Sequence, residues 1–296
     1  MKTDEYKQIT NSTGYVSACP LPSPEMLARF YSEIYYQESA TKTYQATYSN
    51  EELDQKRLRA KLLLHAVKAA QTEKKCNDFL EVGCGEGFVL QAAKEIGFNV
   101  AGIDFSSFGI QSFHPHLEEY LSTGDAFELL DNRYDSGTKV DVCILQNILE
   151  HVIDPEGLMQ RIKAVLTPGG VAAINVPNDF SRMQEKLKDL DYVNQDYWFL
   201  PPQHLHYFNV DNIRPFMAKL GFEIVDMFGD FPIEMFLFHP GSNYASKPEN
   251  GPAAHDARLI VDLLLAERGI ENYYRFCQAM SACGIGRNVC VIVRPK

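Results

Sequence analysis

Three glycines stand at alternate positions where an apolar segment ends, in the stretch FLEVGCGEGFVL at residues 79–90. Gly83, Gly85 and Gly87 remove side chains from the point where a predicted strand passes into a predicted helix. In open α/β sheets, ligands bind outside the carboxyl ends of the strands, beside such turns. Because dinucleotide folds use Gly-x-Gly-x-x-Gly instead, this spacing favours a ligand that lacks a pyrophosphate.

Two carboxylates follow the glycines at the ends of later predicted strands. Asp104 ends the next strand, where a carboxylate can accept hydrogen bonds from both hydroxyls of an unmodified ribose. Asp125 and Ala126 follow the third strand, where a carboxylate and a backbone N–H can meet the amine and a ring nitrogen of adenine. Asp104 alone would also suit a helix cap. Together these residues predict a site for a nucleoside-bearing cofactor.

Histidines supply the candidate bases. His204 and His206 lie in PPQHLHYF, between the fifth predicted strand of the sheet and the next helix, at the sheet edge where a substrate would sit. A neutral imidazole can remove the proton of a hydroxyl near neutral pH. The two side chains face opposite sides of an extended chain, so one can be catalytic while the other is structural. His151, in ILEHVIDP after the fourth strand, is a further catalytic candidate.

Aromatic and acidic residues near the histidines predict a substrate pocket. The residues concerned are Tyr197, Trp198, Tyr207, Asp179 and Glu234. Aromatic rings can stack on a sugar ring, although in most loops they pack the loop onto the sheet. Asp179 is expected to orient a base or bind substrate, and Glu234 to bind a substrate hydroxyl. Their structural alternatives are a turn residue and a surface carboxylate.

Strands and helices alternate from Asp78 to the end of the chain, and these elements must position the residues above. The predicted strands include DFLEV, NVAGID, KVDVCILQN, GGVAAINVP and FEIVDMFGD, with NVCVIVRP last. Short apolar strands separated by helices predict a doubly wound, mostly parallel α/β sheet of the Rossmann-like kind.

An N-terminal region precedes this sheet. We expect an arm and helices over residues 1–75, followed by one domain over 76–296. The arm is polar and rich in turn residues as far as Leu21, so we expect it to be mobile. Pro24 after Ser23 predicts the start of a first helix, and a second helix is expected to begin at Asn50.

Two inserts interrupt the alternation and are expected to form a substrate lid. The first covers residues 179–207 and is dense in aromatic residues and histidine. The second covers residues 231–286 and begins with a proline-containing loop. Its remainder predicts one long helix around Leu259 to Met280, which would pack on the sheet or on a second subunit. The oligomeric state stays open.

Composition narrows the classes of function. The 28 basic and 39 acidic residues give a net charge of −11, without a basic run, which disfavours a nucleic-acid substrate. The seven scattered cysteines, with no C-x-x-C pair, indicate reduced thiols in a cytoplasmic protein. The polar N-terminus and the lack of 18 consecutive apolar residues argue against export and membrane insertion.

Three motifs in this order resemble the class I S-adenosylmethionine-dependent methyltransferases. They are EVGCGEG at residues 81–87, LEHVIDP at 149–155 and LTPGG at 166–170. The resemblance implies a seven-stranded sheet with an antiparallel last strand, and S-adenosylmethionine as cofactor. It places Glu81 near the amino-acid end of the cofactor and Gln146 near its methionine group. The same resemblance places Gly83 and Gly85 against the cofactor, Asp104 on its ribose, and Asp125 and Ala126 around its adenine.

The histidine segment is similar to the E-H-x-x-Y-F segment of sugar C-methyltransferases. In that match His204 takes the position of the catalytic histidine, and Gln203 replaces the usual glutamate. The N-terminal zinc-binding cysteines of those enzymes are missing, which favours a hydroxyl acceptor. We therefore expect O-methylation of a small hydroxylated molecule, with His204 as base. The preferred acceptor is a sugar or a glycosylated metabolite.

Other interpretations stay open from sequence. One is O-methylation of a phenol or quinone precursor, and another is a non-catalytic methyltransferase-like subunit of a complex. A nicotinamide-dependent Rossmann enzyme is disfavoured by the glycine spacing. Some relatives bind a divalent ion through a Glu-x-x-Glu-His pattern, but Asn147 stands where the first glutamate would fall. We expect no metal.

Overall fold

The computed structural model describes residues 5–30, 48–71 and 77–296, and this part forms two sheets with surrounding helices. The strands are β1 (Lys7–Thr10), β2 (Val16–Cys19), β3 (Asp78–Val82), β4 (Asn99–Asp104), β5 (Leu121–Thr123), β6 (Val140–Gln146), β7 (Leu166–Pro177), β8 (His206–Tyr207), β9 (Phe222–Phe228) and β10 (Asn288–Pro295). The α-helices are α1 (Pro24–Phe30), α2 (Asn50–Ala70), α3 (Phe88–Glu95), α4 (Phe108–Phe113), α5 (Ala126–Asp135), α6 (Pro155–Val165), α7 (Arg182–Asp189), α8 (Ile213–Lys219), α9 (Gly251–Ala266) and α10 (Ile270–Ala282).

The larger sheet has seven strands in the order β5-β4-β3-β6-β7-β10-β9. Strands β3 to β7 pair in parallel, whereas β10 runs antiparallel to both β7 and β9. The predicted doubly wound sheet with an antiparallel last strand is therefore confirmed. The order reverses beside β3, so the glycine-rich turn after β3 lies at the switch point where ligands of such sheets bind.

Both faces of the sheet are buried, which explains why its strands read as continuous apolar runs. In β7, Ala172, Ile174 and Val176 belong to one hydrophobic cluster, and Val171 and Ala173 belong to the other. Helices cover each cluster, so the sheet is a rigid platform. The polar residues of the candidate site therefore lie at its edge.

Helices begin where the sequence offers side-chain caps. The Ser49 hydroxyl accepts a hydrogen bond from the Glu52 backbone, and the Glu52 carboxylate accepts one from the Ser49 backbone, so α2 begins with a capping box. Asp154 caps α6 by accepting a hydrogen bond from Gly157 N at 2.8 Å, with Pro155 in the first turn. The helices predicted after Ser23 and near Asn50 are present, and the continuation of the first beyond Phe30 lies outside the described residues.

The expectation of a mobile N-terminal arm is wrong for residues 7–19. This segment forms an antiparallel hairpin of β1 and β2, and β2 pairs with β8 to complete a three-stranded sheet. The Tyr15 ring stacks on Phe208 with ring centroids 4.9 Å apart and anchors the hairpin in the core. The segment is polar because β1 is exposed along its whole length. The pairing of β2 with β8, which orders the segment, joins residues far apart in sequence.

The single long helix predicted in the second insert is also wrong. Two helices, α9 and α10, are separated at Gly269, whose φ of +97° is not helical. Helix propensity is high on both sides, but glycine permits the chain to turn back between them. Among the described helices, none combines the length and the apolar character required to cross a membrane.

Candidate active site

The glycine-rich turn joins β3 to α3 with a backbone conformation that side chains disfavour. Gly83, Gly85 and Gly87 have φ values of +74°, +51° and +81°. A Cβ atom at Gly83 would lie 2.1 Å from Cδ1 of Ile148. The turn therefore favours glycine for its conformation at all three positions, and a side chain at Gly83 would also displace the Ile148 side chain.

Asp104 ends β4 beside this turn and fixes it. Its Oδ2 accepts a hydrogen bond from Gly85 N at 2.8 Å, and its Oδ1 accepts one from Ser106 N at 3.0 Å. Burial raises the pKa of the carboxyl despite these bonds. Each oxygen keeps a lone pair for a further donor, which suits two ribose hydroxyls.

Two exposed aromatic rings follow Asp104, and the sequence interpretation missed both. The side chains of Phe105 and Phe108 are 54% and 55% exposed, beside the buried carboxylate of Asp104. An aromatic residue directly after the acid that ends β4 is the sequence signal that would have identified them. Such rings can stack on a planar base.

Glu81 lies within the sheet below the glycine turn and is buried. Gln146 Nε2 lies 3.5 Å from Glu81 Oε1, whereas Oε2 has no hydrogen-bond partner among the described residues. Burial raises the pKa of Glu81 to about 8. A buried carboxylate oxygen without a partner is costly, and a cationic ligand would relieve that cost.

Asp125 and Ala126 lie at the start of α5. Asp125 Oδ1 accepts hydrogen bonds from Phe127 N at 2.9 Å and Glu128 N at 3.1 Å, so this carboxylate caps the helix. The side chain is exposed, and its other oxygen is not used by the cap. The predicted contact with adenine stays a prediction.

These groups fit S-adenosylmethionine, which combines a nucleoside with a cationic amino-acid chain. The unpaired Glu81 oxygen suits an ammonium group, and the Asp104 carboxylate suits ribose hydroxyls. Beside Gln146, a cavity of about 80 Å³ continues along the strand ends toward Asn175 and Asp230. The residues at the carboxyl edge therefore offer a candidate cofactor site, and Gln146 also lines this neighbouring cavity.

His204 lies beside a buried carboxylate and a second histidine. Its Nδ1 is 3.9 Å from Asp179 Oδ2, longer than a hydrogen bond, and has no other partner among the described residues. The rings of His204 and His151 meet edge to face at 4.8 Å. Burial, together with the positive charge of Arg287, lowers the pKa of His204 to about 4. This imidazole is therefore neutral at pH 7, as a base must be.

His151 is held by the loop that carries His204. Its Nδ1 donates a hydrogen bond of 2.6 Å to the carbonyl of Gln203, because a carbonyl oxygen can only accept. Burial and the neighbouring His204 lower its pKa to about 3. This geometry suits a residue that shapes the site, and its predicted catalytic role is not required by these contacts.

Glu150 adds a buried carboxyl to the pair of histidines. Neither of its oxygens has a hydrogen-bond partner in the described chain, and burial raises its pKa to about 8. Glu150, His151 and His204 each present one ligand atom, and these atoms lie within 4.8 Å of one another. Imidazole and carboxylate are donors that divalent transition metals accept. The expectation of a metal-free site therefore stays a prediction.

His206 and Tyr207 point into the fold. His206 is buried and contacts Ser17 Oγ at 2.7 Å and the carbonyl of Ile153 at 3.3 Å. The Tyr207 hydroxyl donates to the carbonyl of His204 at 2.8 Å. Both side chains thus hold the histidine loop, while their predicted roles as base and substrate contact remain predictions.

Tyr197 and Trp198, the remaining aromatic candidates of the first insert, lie side by side. The Tyr197 and Trp198 rings meet at 5.0 Å, and Trp198 is buried against Phe180. The Tyr197 hydroxyl and the Trp198 Nε1 are buried without a hydrogen-bond partner among the described residues. Trp198 thus packs the insert, and both residues retain polar atoms that a ligand can satisfy.

Arg287 links the acidic candidates of the two inserts and was missed in the sequence. Its guanidinium contacts Asp179 Oδ1 at 3.2 Å and Glu234 Oε1 at 3.3 Å. Burial raises the pKa of both carboxyl groups, and Arg287 opposes this effect. The other oxygen of Glu234 is buried without a partner in the described structure. Only the fold brings this arginine, just before β10, to the site.

Comparisons with known proteins show the family and the fold of the chain. The protein family described as "Methyltransferase domain" matches residues 51–227, more than half of the chain. A ubiquinone biosynthesis O-methyltransferase of Actinobacillus pleuropneumoniae serotype 7 (strain AP76) is 31% identical over 127 residues, which cover 39% of this chain and 54% of that protein. The aligned region thus spans about half of that relative's length.

Two further similarities cover more of the chain. A probable S-adenosylmethionine-dependent methyltransferase of Mycolicibacterium smegmatis is 24% identical over 196 residues, or 63% of this chain and 70% of that protein. The solved Haemonchus contortus phosphoethanolamine N-methyltransferase 2, with S-adenosylhomocysteine bound, has a TM-score of 0.53 at 17% identity. That match covers 93% of this chain and 62% of the other, and it shows the fold.

Proposed function

Because the chain belongs to the class I S-adenosylmethionine-dependent methyltransferases, we propose that it methylates a hydroxyl of a small polar acceptor. The preferred acceptor is a sugar or a glycosylated metabolite. The proposal includes His204 as the base that removes the hydroxyl proton. Tyr197, Asp179 and Glu234 would bind the acceptor.

One observation carries this proposal. Around His204, several buried polar atoms have no hydrogen-bond partner among the described residues: His204 Nδ1, the Tyr197 hydroxyl, one Glu234 oxygen and both Glu150 oxygens. Buried polar groups are normally paired, so this set indicates a missing partner. A hydroxyl-rich ligand both donates and accepts hydrogen bonds and can satisfy such a mixed set, whereas a ring with one or two hydroxyls can satisfy fewer of these atoms.

When bound, S-adenosylmethionine supplies a methyl group on a positively charged sulfur. Glu81, Gly85 and Asp104 would hold the cofactor at the carboxyl edge of the sheet. His204, neutral at pH 7, takes the proton of the acceptor hydroxyl as the oxygen gains the methyl group. Asp179, 3.9 Å from His204 Nδ1, stabilises the imidazolium that forms.

A second candidate function is O-methylation of a phenol or quinone precursor. It is favoured by the name of the relative from Actinobacillus pleuropneumoniae, a ubiquinone biosynthesis O-methyltransferase that aligns over 39% of this chain. A phenol acceptor has an acidic hydroxyl and would depend less on a base. It would leave most of the unpaired polar atoms near His204 unsatisfied.

The test uses the purified chain, S-adenosylmethionine with a labelled methyl group, and two sets of probes. One set contains nucleotide-linked sugars and methyl glycosides, and the other contains 3,4-dihydroxybenzoate and related catechols. We expect transfer to the first set, and a fall of kcat/KM of about 10²- to 10⁴-fold in His204→Ala. The matched control, His116→Ala, removes an exposed histidine and should keep full activity.

Each outcome of the assay separates the functions. Transfer to catechols alone would replace the sugar proposal by the second candidate. Binding of S-adenosylmethionine without transfer to either set would favour a non-catalytic subunit. Loss of activity on adding a chelator, restored by a divalent ion, would replace the metal-free mechanism by one in which Glu150, His151 and His204 hold a metal.

A further inference from the structure

We infer that the N-terminal hairpin, defined as residues 7–19, positions His204, with Ser17 as its central positioning residue. The inference rests on the proposed role of His204 as base. The inference assigns a function in methyl transfer to this segment. Its hydrogen bond to the histidine loop, from Ser17 to His206, joins residues 189 positions apart in the sequence. The hairpin would be needed for the chemical step, while cofactor binding would not depend on it.

Backbone pairing brings the hairpin to the histidine loop. In the three-stranded sheet, Val16 pairs with Tyr207 and Ser17 pairs with His206. The backbone N–H of Ala18 donates to the carbonyl of Leu205 at 2.9 Å, directly after His204. β2 therefore fixes the three residues that follow the candidate base.

A directed chain of side-chain hydrogen bonds extends this pairing. Asn11 Nδ2 donates to Ser17 Oγ at 2.7 Å, and Ser17 Oγ lies 2.7 Å from His206 Nδ1. His206 Nε2 lies 3.3 Å from the carbonyl of Ile153, which can only accept, so Nε2 carries the proton. The Ser17 oxygen already accepts from Asn11, and the proton of His206 is on Nε2, so the Ser17 hydroxyl donates to His206 Nδ1.

The same loop is tied on its other side to the segment after β6. Leu205 N donates to the carbonyl of Glu150 at 2.8 Å, and His206 N donates to the same oxygen at 3.1 Å. His151 Nδ1 donates to the carbonyl of Gln203. His204 is thus flanked by residues that are bound from two directions, and the hairpin supplies one of them.

The Ser17 hydroxyl does more than pack, because it bonds to a buried histidine, His206, whose other ring nitrogen faces the carbonyl of Ile153. Ser17 itself is buried, while β1 is exposed along its whole length. The outer strand therefore contributes little to the core, and the inner strand carries Ser17 to the loop. A displacement of His204 by even 1 Å would cost about 10²-fold in rate, since proton transfer requires close approach.

The experiment compares Ser17→Ala, Ser17→Thr and a matched control, Ser136→Ala, whose hydroxyl lies on the exposed end of α5. Three quantities are measured on the full chain: kcat and KM with the acceptor found above, S-adenosylmethionine affinity by calorimetry, and the ring signals of ¹⁵N-labelled histidine by NMR. The chain has eight histidines, so these signals can be assigned by substitution.

For Ser17→Ala we expect kcat to fall about 10- to 100-fold, with KM and cofactor affinity within twofold of wild type. The His204 ring signals should shift, and Ser17→Thr, which keeps the hydroxyl, should restore both kcat and the signals. Ser136→Ala should match wild type. Unchanged His204 signals in Ser17→Ala, or a Thr variant as impaired as the Ala variant, would overturn the inference.

The NMR arm keeps this inference separate from the proposed function. If His204→Ala retains full activity, His204 is not the base and the proposed mechanism fails. The ring signals then still show whether Ser17 fixes the position of His204. If His204→Ala is inactive but Ser17→Ala keeps wild-type kcat and ring signals, only the positioning role is refuted.

Discussion

Replacing Arg287 by methionine should destabilise the protein through the two carboxylates that it pairs. Arg287 contacts Asp179 at 3.2 Å and Glu234 at 3.3 Å, and those side chains are only 3% and 5% exposed. Methionine preserves much of the apolar stem but removes the charge. Both carboxylates then remain in the interior, where an unpaired charge is costly.

The expected size follows from the burial of this cluster. Removing one partner of a buried ion pair costs about 3–5 kcal/mol, because an uncompensated charge is left behind. The Arg287 side chain is 27% exposed, so water screens it partly, and the lower end of that range, about 3 kcal/mol, is expected. The loss should appear as a lower urea midpoint at an unchanged m value.

The loss should also depend on pH, with a definite sign. Burial raises the pKa of Asp179 and Glu234 above the unfolded values even with Arg287 present, and its removal should raise them further. A folded pKa above the unfolded one means that stability falls as pH rises through the interval between the two. The deficit of Arg287→Met should therefore be largest at pH 7.5 and smaller at pH 5.5.

The assay is urea unfolding of wild type and variant at both pH values. Arg57→Met is the matched control, because Arg57 pairs with Asp54 on an exposed surface of α2 and should change stability by no more than about 0.5 kcal/mol. A deficit for Arg287→Met below about 1 kcal/mol at pH 7.5, or an equal deficit at both pH values, would refute the reasoning.

Three further predictions concern the cofactor site. Gly83→Ala should lower the free energy of unfolding by about 1–2 kcal/mol, because alanine disfavours the left-handed backbone, and should lower it further by displacing Ile148. Gly97→Ala should show the backbone cost alone, because the space that its Cβ would occupy is open. Thermal unfolding of both variants checks this. Asp104→Asn should weaken S-adenosylmethionine binding at least about tenfold by calorimetry, and unchanged affinity would exclude the ribose role. Binding of S-adenosylmethionine should release protons near pH 7, because the pKa of Glu81 is raised to about 8 and its carboxyl must ionise to pair with a cation. Calorimetry in two buffers should show this proton release for wild type and not for Glu81→Gln.

Local patterns were sufficient to predict the parallel sheet and to identify the candidate residues for cofactor binding. Gly83, Gly85 and Asp104 lie in consecutive strand–turn–helix units, and each unit has its own apolar run and turn residues. Parallel strands bring their carboxyl ends to one edge, so residues that end neighbouring strands must meet there. The contact of Asp104 with the glycine turn, which the structure shows, follows from this topology.

The acceptor half depended on contacts that no local pattern encodes. Arg287 reaches Asp179 across 108 residues, and Ser17 reaches His206 across 189. A lone arginine before a strand and a polar N-terminal segment carry no periodic signal, because their partners lie in other elements. The sequence by itself determined the sheet, the glycine turn and the candidate histidines. Only the tertiary structure decided which histidine faces a carboxylate and which is locked, because that depends on burial and on long-range pairing.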